Sequence, residues 1–163
     1  MKFEREHYIE KLLSSKHNHL IKIVTGLRRV GKSYLLLNLY KQHLLDNDVD
    51  ASHIIEIKLD SFAHRKYRKA ETLYEYIENL TKQDSQMYYV IIDEVQMLED
   101  FVDVLNGFLH IDNLDVYVTG SNAKFLSSDI VTEFRGRGVQ IHLQPLSFKE
   151  IKEKSNDDTS SLW

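Results

Sequence analysis

The segment Gly26-Leu27-Arg28-Arg29-Val30-Gly31-Lys32-Ser33 spells G-x-x-x-x-G-K-S, and it constrains this chain more than any other stretch. Such a loop does its work between a strand and a helix. Both are written beside it. Residues 20–25 form a short apolar run rich in branched side chains, read as a strand. Residues 34–45 are Leu-rich and hold neither Gly nor Pro, so a helix is expected over about 32–45. The glycines let the backbone curl until several N–H groups converge on phosphate oxygens, and the helix adds the positive end of its dipole. Lys32 is then placed to reach the β- and γ-phosphates, with the Ser33 hydroxyl on Mg²⁺. Gly26 through Ser33, with Tyr34 following, are the candidate phosphate-binding residues. The plain alternative is a strand–turn–helix corner.

A second segment strengthens the first. Tyr88-Tyr89-Val90-Ile91-Ile92 is a continuous apolar run ending in Asp93-Glu94, too short for a helix. It reads as a strand buried on both faces of a parallel sheet. Carboxylates at its carboxyl end lie where open α/β sheets bind ligands. There Asp93 would share the Mg²⁺ with Ser33, largely through water. Glu94 would accept a proton from an attacking water or orient it. Alone, an Asp-Glu pair at a strand end is more simply a helix cap; beside a phosphate loop the catalytic reading prevails.

Composition sets outer bounds. A chain of 163 residues is a single domain by prior, able to bury about 70% of its unfolded surface. It has no cysteine, which excludes disulfides and thiolate metal sites. No apolar run approaches the ~20 residues that span a bilayer, and the charged start Met1 to His7 lacks the core of a signal peptide. A net charge of −4 gives no general pull toward nucleic acid. A soluble, cytoplasmic protein without a membrane partner is expected.

Periodicity lays out the rest. Residues 3–15 read as an amphipathic helix with Tyr8, Ile9, Leu12 and Leu13 inward. His53 to Leu59 reads as a second strand, and Ala70, Leu73, Ile77 and Leu80 mark a helix. Phe101, Leu105 and Phe108 mark another, residues 114–119 a fourth strand, and Val139, Ile141 and Leu143 a half-buried strand at an edge. Strands alternating with helices predict an α/β fold with a parallel sheet and right-handed crossovers. Residues 1–152 are read as one domain and 153–163 as a polar tail or truncated linker.

Other constellations are less specific. Ser121 and Asn122, after the fourth strand, suit contact with a γ-phosphate or its attacking water, and equally suit a turn and helix cap. Arg135-Gly136-Arg137-Gly138 reads first as a solvated basic turn and second as phosphate recognition. Residues 64–69 (His-Arg-Lys-Tyr-Arg-Lys) form the most basic run, read as the solvated start of a helix before a nucleic-acid contact. His17-Asn18-His19 reads as a polar turn before a metal site.

Taken together, these segments resemble a family of prokaryotic AAA-type ATPases. The resemblance rests on the loop at 26–33, Asp93-Glu94-Val95-Gln96, the segment Thr119 to Asn122, Gly136-Arg137, and Pro145-Leu146-Ser147-Phe148-Lys149-Glu150, in that order over about residues 5–151. It implies a three-layer P-loop NTPase fold with sheet order 5-1-4-3-2 and helices on both faces. It implies ATP with Mg²⁺, a sensor role for Ser121 and Asn122, and Arg137 as a finger acting across a subunit boundary of a homo-oligomer. Family members usually continue into a long C-terminal region with a second domain, so a chain ending at Trp163 is expected to be a shortened member. The leading expectation is Mg²⁺-dependent ATP binding and hydrolysis to ADP and phosphate, with Lys32, Glu94, Asn122 and Arg137 catalytic. Alternatives are a module that binds ATP without turnover and serves a protein partner or missing domain, a small-molecule kinase, and a nucleic-acid-stimulated motor.

Overall fold

In a computed structural model the described residues are 5–26, 31–121 and 132–145. Four elements lead to the first crossover: α1 (Glu6–Ser14), β1 (Ile21–Thr25), α2 (Lys32–Tyr34) and, after a π-helical stretch Leu35–Tyr40, α3 (Lys41–Asp46). The π stretch is a departure from the plain helix that the Leu-rich pattern predicts. Then come β2 (Ile54–Lys58), a 3₁₀ helix Phe62–Arg68, α4 (Ala70–Thr81), β3 (Tyr88–Asp93), a 3₁₀ turn Val95–Met97, and α5 (Phe101–Phe108). β4 (Leu114–Thr119) and β5 (Gly138–His142) complete the sheet.

The five strands are parallel and ordered β2-β3-β4-β1-β5, which is the expected 5-1-4-3-2 order viewed from the other edge. Every residue of β1, β3 and β4 is buried, as continuous apolar runs in a doubly covered parallel sheet require. At the edge, β5 is buried in part, with Ile141 inward.

Two cores flank the sheet. On one face Leu73 and Ile77 of α4, and Leu105 and Phe108 of α5, pack on Ile21, Ile23, Val90, Ile92, Val116 and Val118. Here Gly107 permits the close approach of the two helices, because a Cβ at that position would meet the Tyr74 ring at 2.8 Å. On the other face Tyr8 and Leu12 of α1 join Leu35, Leu36, Tyr40 and Leu44 against Val24, Ile91 and Tyr117. Each fully buried Leu or Ile contributes roughly 1.5–3 kcal/mol. Ile9 and Leu13, expected inward, are half-buried.

The basic run departs from its expected place. It forms the separate 3₁₀ helix before α4, and Arg68 turns back so that its Nε donates to Leu59 O at 2.7 Å. Residues 146–163, including the proposed tail, lie outside the described residues. Among the described residues no helix is long and apolar enough to cross a membrane.

Candidate functional site

Register aligns the carboxyl ends of three strands. Val24 pairs with Thr119 and Ile92 with Val118, so Gly26 follows β1, Asp93 and Glu94 close β3, and Ser121 follows β4 at one end of the sheet. Gly31, at φ +96°, takes the left-handed turn that starts the helix, and its carbonyl accepts from Leu35 N–H at 2.9 Å. This delivers Lys32 and Ser33 to the same end.

The side chains converge there. Ser33 Oγ donates to Asp93 Oδ1 at 2.7 Å, and Thr119 Oγ1 donates to the same oxygen at 2.6 Å. Thr119 Oγ1 also accepts from the Glu94 backbone N–H at 3.0 Å, so one hydroxyl ties both acidic residues to β4. Glu94 sits at φ 58°, a left-handed conformation that costs a non-glycine residue about 1–2 kcal/mol. Its carboxylate accepts from Ser121 Oγ, at 3.0 Å to Oε2 and 3.3 Å to Oε1, and from Gln96 Nε2. Gln96 Oε1 is buried and lacks a hydrogen-bond partner, an arrangement that costs roughly 1–3 kcal/mol.

Lys32 is buried, and its ammonium donates to Gly26 O at 3.0 Å. Burial pulls it below the usual lysine range, while the Glu94 and Asp93 carboxylates act in the opposite direction. Tyr34 is half-buried in the first helical turn.

Ser33 and Asp93 offer oxygen donors, a hydroxyl and a carboxylate, with the Thr119 hydroxyl on the same carboxylate oxygen. That chemistry fits a small hard cation that keeps much of its own water. Elsewhere the His17–His19 segment is a polar turn. The His17 ring meets Tyr89 OH at 2.6 Å, its backbone N–H donates to Asp115 Oδ2, and Asn18 Oδ1 accepts from Leu20 N–H. Among the described residues no cluster of three or more metal-ligating His, Asp or Glu side chains occurs.

Of the expected site residues, Gly26, Gly31, Lys32, Ser33, Asp93, Glu94 and Ser121 come together. Leu27, Arg28, Arg29, Val30 and Asn122 lie outside the described residues. Arg137 is not brought to the site. Its carbonyl accepts from Ile21 N–H at 2.9 Å, at the amino end of β1, and its exposed guanidinium donates to Glu133 O at 2.6 Å. The length of the strand, about 3.3 Å per residue, separates it from the loop. Thr119 and Gln96 are the residues whose roles sequence reasoning missed. Both lay inside quoted motifs, but a hydroxyl that bridges two strands leaves no mark on spacing.

A family model described as "AAA domain" matches residues 18–152. An uncharacterized protein of Haemophilus influenzae is 33% identical over 157 residues, 96% of this chain and 39% of that protein. Another, of Methanocaldococcus jannaschii, is 29% identical over 150 residues, 90% of this chain and 30% of that protein. The chain thus spans well under half the length of these relatives. Among solved structures, the Walker-type ATPase PABY2304 of Pyrococcus abyssi superposes with TM-score 0.61 at 19% identity, covering 91% of this chain and 55% of that one. The Aeropyrum pernix ORC1 protein, solved in complex with DNA, gives 0.62 at 13% identity over 97% of this chain and 50% of that one. Hsp104 of S. cerevisiae, solved in a complex with casein, gives 0.64 at 20% identity over 90% and 28%. At these identities the structures share the fold. With its phosphate loop, its paired carboxylates and the match over 18–152, the chain belongs to the family of AAA domains.

Proposed function

We propose that the chain binds ATP with Mg²⁺ and hydrolyses it to ADP and phosphate. The observation that carries this reading is the junction of Ser33 and Asp93 at 2.7 Å, with Lys32 and Glu94 at the same sheet end. Lys32 would bind the β- and γ-phosphates and offset charge gathering on them as the bridging bond breaks. Ser33 and Asp93 would hold Mg²⁺, which when bound neutralises phosphate charge. Glu94 would orient the attacking water and take its proton as the oxygen–phosphorus bond to ADP opens. Ser121 would contact the γ-phosphate or the water, with Asn122 in the same role.

A second reading has its own observation. Because Arg137 stands at the opposite sheet end, a lone chain lacks this cation at its own phosphates. Turnover would then require a neighbouring copy, and a separate chain would bind ATP with little hydrolysis. A protein partner, or the additional length that the relatives carry, would use the bound state. Nucleic-acid stimulation rests only on the exposed Phe62 and the exposed Arg65 and Lys66 beside it. Cytoplasmic placement belongs to the same reading.

The test is ATP hydrolysis with and without Mg²⁺ over a range of chain concentrations, beside direct ATP binding. Specific activity that rises with concentration and falls in Arg137→Ala supports the finger. Activity independent of Lys32, tested in Lys32→Ala, contradicts the site.

A further inference from the structure

We propose that Gln96 is a positioning residue that keeps the Glu94 carboxylate turned into the site. The proposal rests on the hydrolytic reading, which gives that carboxylate its proton-accepting role.

Glu94 follows β3 in a left-handed conformation, at the start of the turn Val95–Met97, so no regular element fixes its side chain. Two donors do so from different directions. Gln96 Nε2 comes from the turn itself and Ser121 Oγ from the end of β4, and both meet Oε2. Bonds from two elements to one oxygen restrain the side-chain torsions in a way that a single bond leaves free. Among the described residues Oε1 carries only the longer Ser121 contact, at 3.3 Å.

The Gln96 amide has one orientation open to it. Reversed, its carbonyl oxygen would face a carboxylate oxygen, two acceptors with no proton between them. As it stands, the amide N–H bonds Glu94 and the carbonyl is left buried and unpaired. A side chain kept for packing would be apolar there and leave no such group, so the bond to Glu94 is what the amide supplies. The Ser121 bond holds the carboxylate just past the carboxyl end of β4, beside the strand end that carries Asp93.

The test uses the whole chain and the isosteric variant Gln96→Met. Its kcat for ATP is expected to fall about tenfold or more, from a misaligned base, with KM and ATP affinity within about twofold of wild type. Ser121→Ala should fall in the same direction by less. Unchanged or raised kcat in Gln96→Met overturns the proposal, and so does a loss of ATP affinity that matches the loss of kcat. If the wild-type chain shows no turnover, the hydrolytic reading fails, and urea unfolding still decides the contact. Gln96→Met and Glu94→Ala are compared singly and together. Losses that are smaller together than their sum support the bond, and strictly additive losses overturn it.

Discussion

The two ends of this sheet are both polar, yet they are built in opposite ways. At the amino end, Lys22 of β1 and Asp115 of β4 form a buried ion pair. Tyr117 OH donates to Asp115 Oδ2 at 2.7 Å and shares a hydrogen bond with Tyr40 OH, and His17 N–H reaches Asp115 as well. Donors and acceptors there answer one another. At the carboxyl end, Ser33, Thr119, Glu94 and Ser121 are also joined, but the cluster keeps a left-handed glutamate, a buried lysine and an unpaired amide carbonyl. The carboxyl-end cluster leaves a buried amide carbonyl unpaired beside Glu94, whereas at the amino end the charged groups are paired, although His17 there is left-handed too, at φ 59°.

The largest effect should come from opening the closed end. Asp115→Ala leaves a lysine buried without its partner and should lower unfolding free energy by about 3–5 kcal/mol in urea. Replacing both, Lys22→Met with Asp115→Leu, should recover most of that loss. A mild single variant would show that the pair is not buried as described.

Alkaline pH probes the same cluster without mutation. Burial above all, with the Asp115 carboxylate adding, raises Tyr40 and Tyr117 far above the ordinary tyrosine value, and Tyr89 to about 12. The folded state thus keeps protons that the unfolded chain releases above pH 10. Stability is full below pH 10 and falls as pH rises beyond it, by up to about 1.4 kcal/mol per tyrosine per pH unit. Lys22, lowered by burial, acts in the opposite sense between its depressed value and 10.5, and has no further effect beyond that. Urea midpoints measured from pH 9 to 11.5 should therefore drop steeply above about 10.5. A flat profile would contradict the burial of these rings.

At the open end, Thr119→Val removes the hydroxyl that ties Asp93 and Glu94 to β4. Turnover should fall roughly ten- to a hundredfold with ATP binding largely kept, read from kcat against KM. The smallest effect is Tyr40→Phe. It removes one hydrogen bond between the phosphate-loop helix and β4, costing about 1 kcal/mol in urea while turnover per folded molecule stays at the wild-type level.

Much of the fold was legible because hydrophobic period and burial coincide. The runs at 88–92 and 114–119 are buried strands within a residue of their expected ends. Three features were hidden. Lys22 sat inside an apolar run whose charge finds its partner on another strand. The π stretch Leu35–Tyr40 has a Leu spacing that suits an α-helix equally, and the Tyr40–Tyr117 contact within it depends on tertiary packing. The basic run is exposed at Arg65, Lys66 and Lys69, as its solvated reading expects, but Arg68 is drawn back to the Leu59 carbonyl. The candidate site is named from its loop segment and carboxylates and not from Thr119 or Gln96, which enter through contacts between elements. The finger expected of Arg137 came from resemblance alone; in the fold this residue bonds Glu133 O and Ile21 N–H at the amino end of β1.

The division of labour between the two sheet ends is tested most directly by Glu94→Gln, with ATP turnover and urea stability measured on the same preparation. The account predicts turnover reduced at least about a hundredfold, ATP binding retained, and an unfolding free energy within about 1 kcal/mol of wild type. Turnover at the wild-type level in a folded Glu94→Gln chain would contradict it.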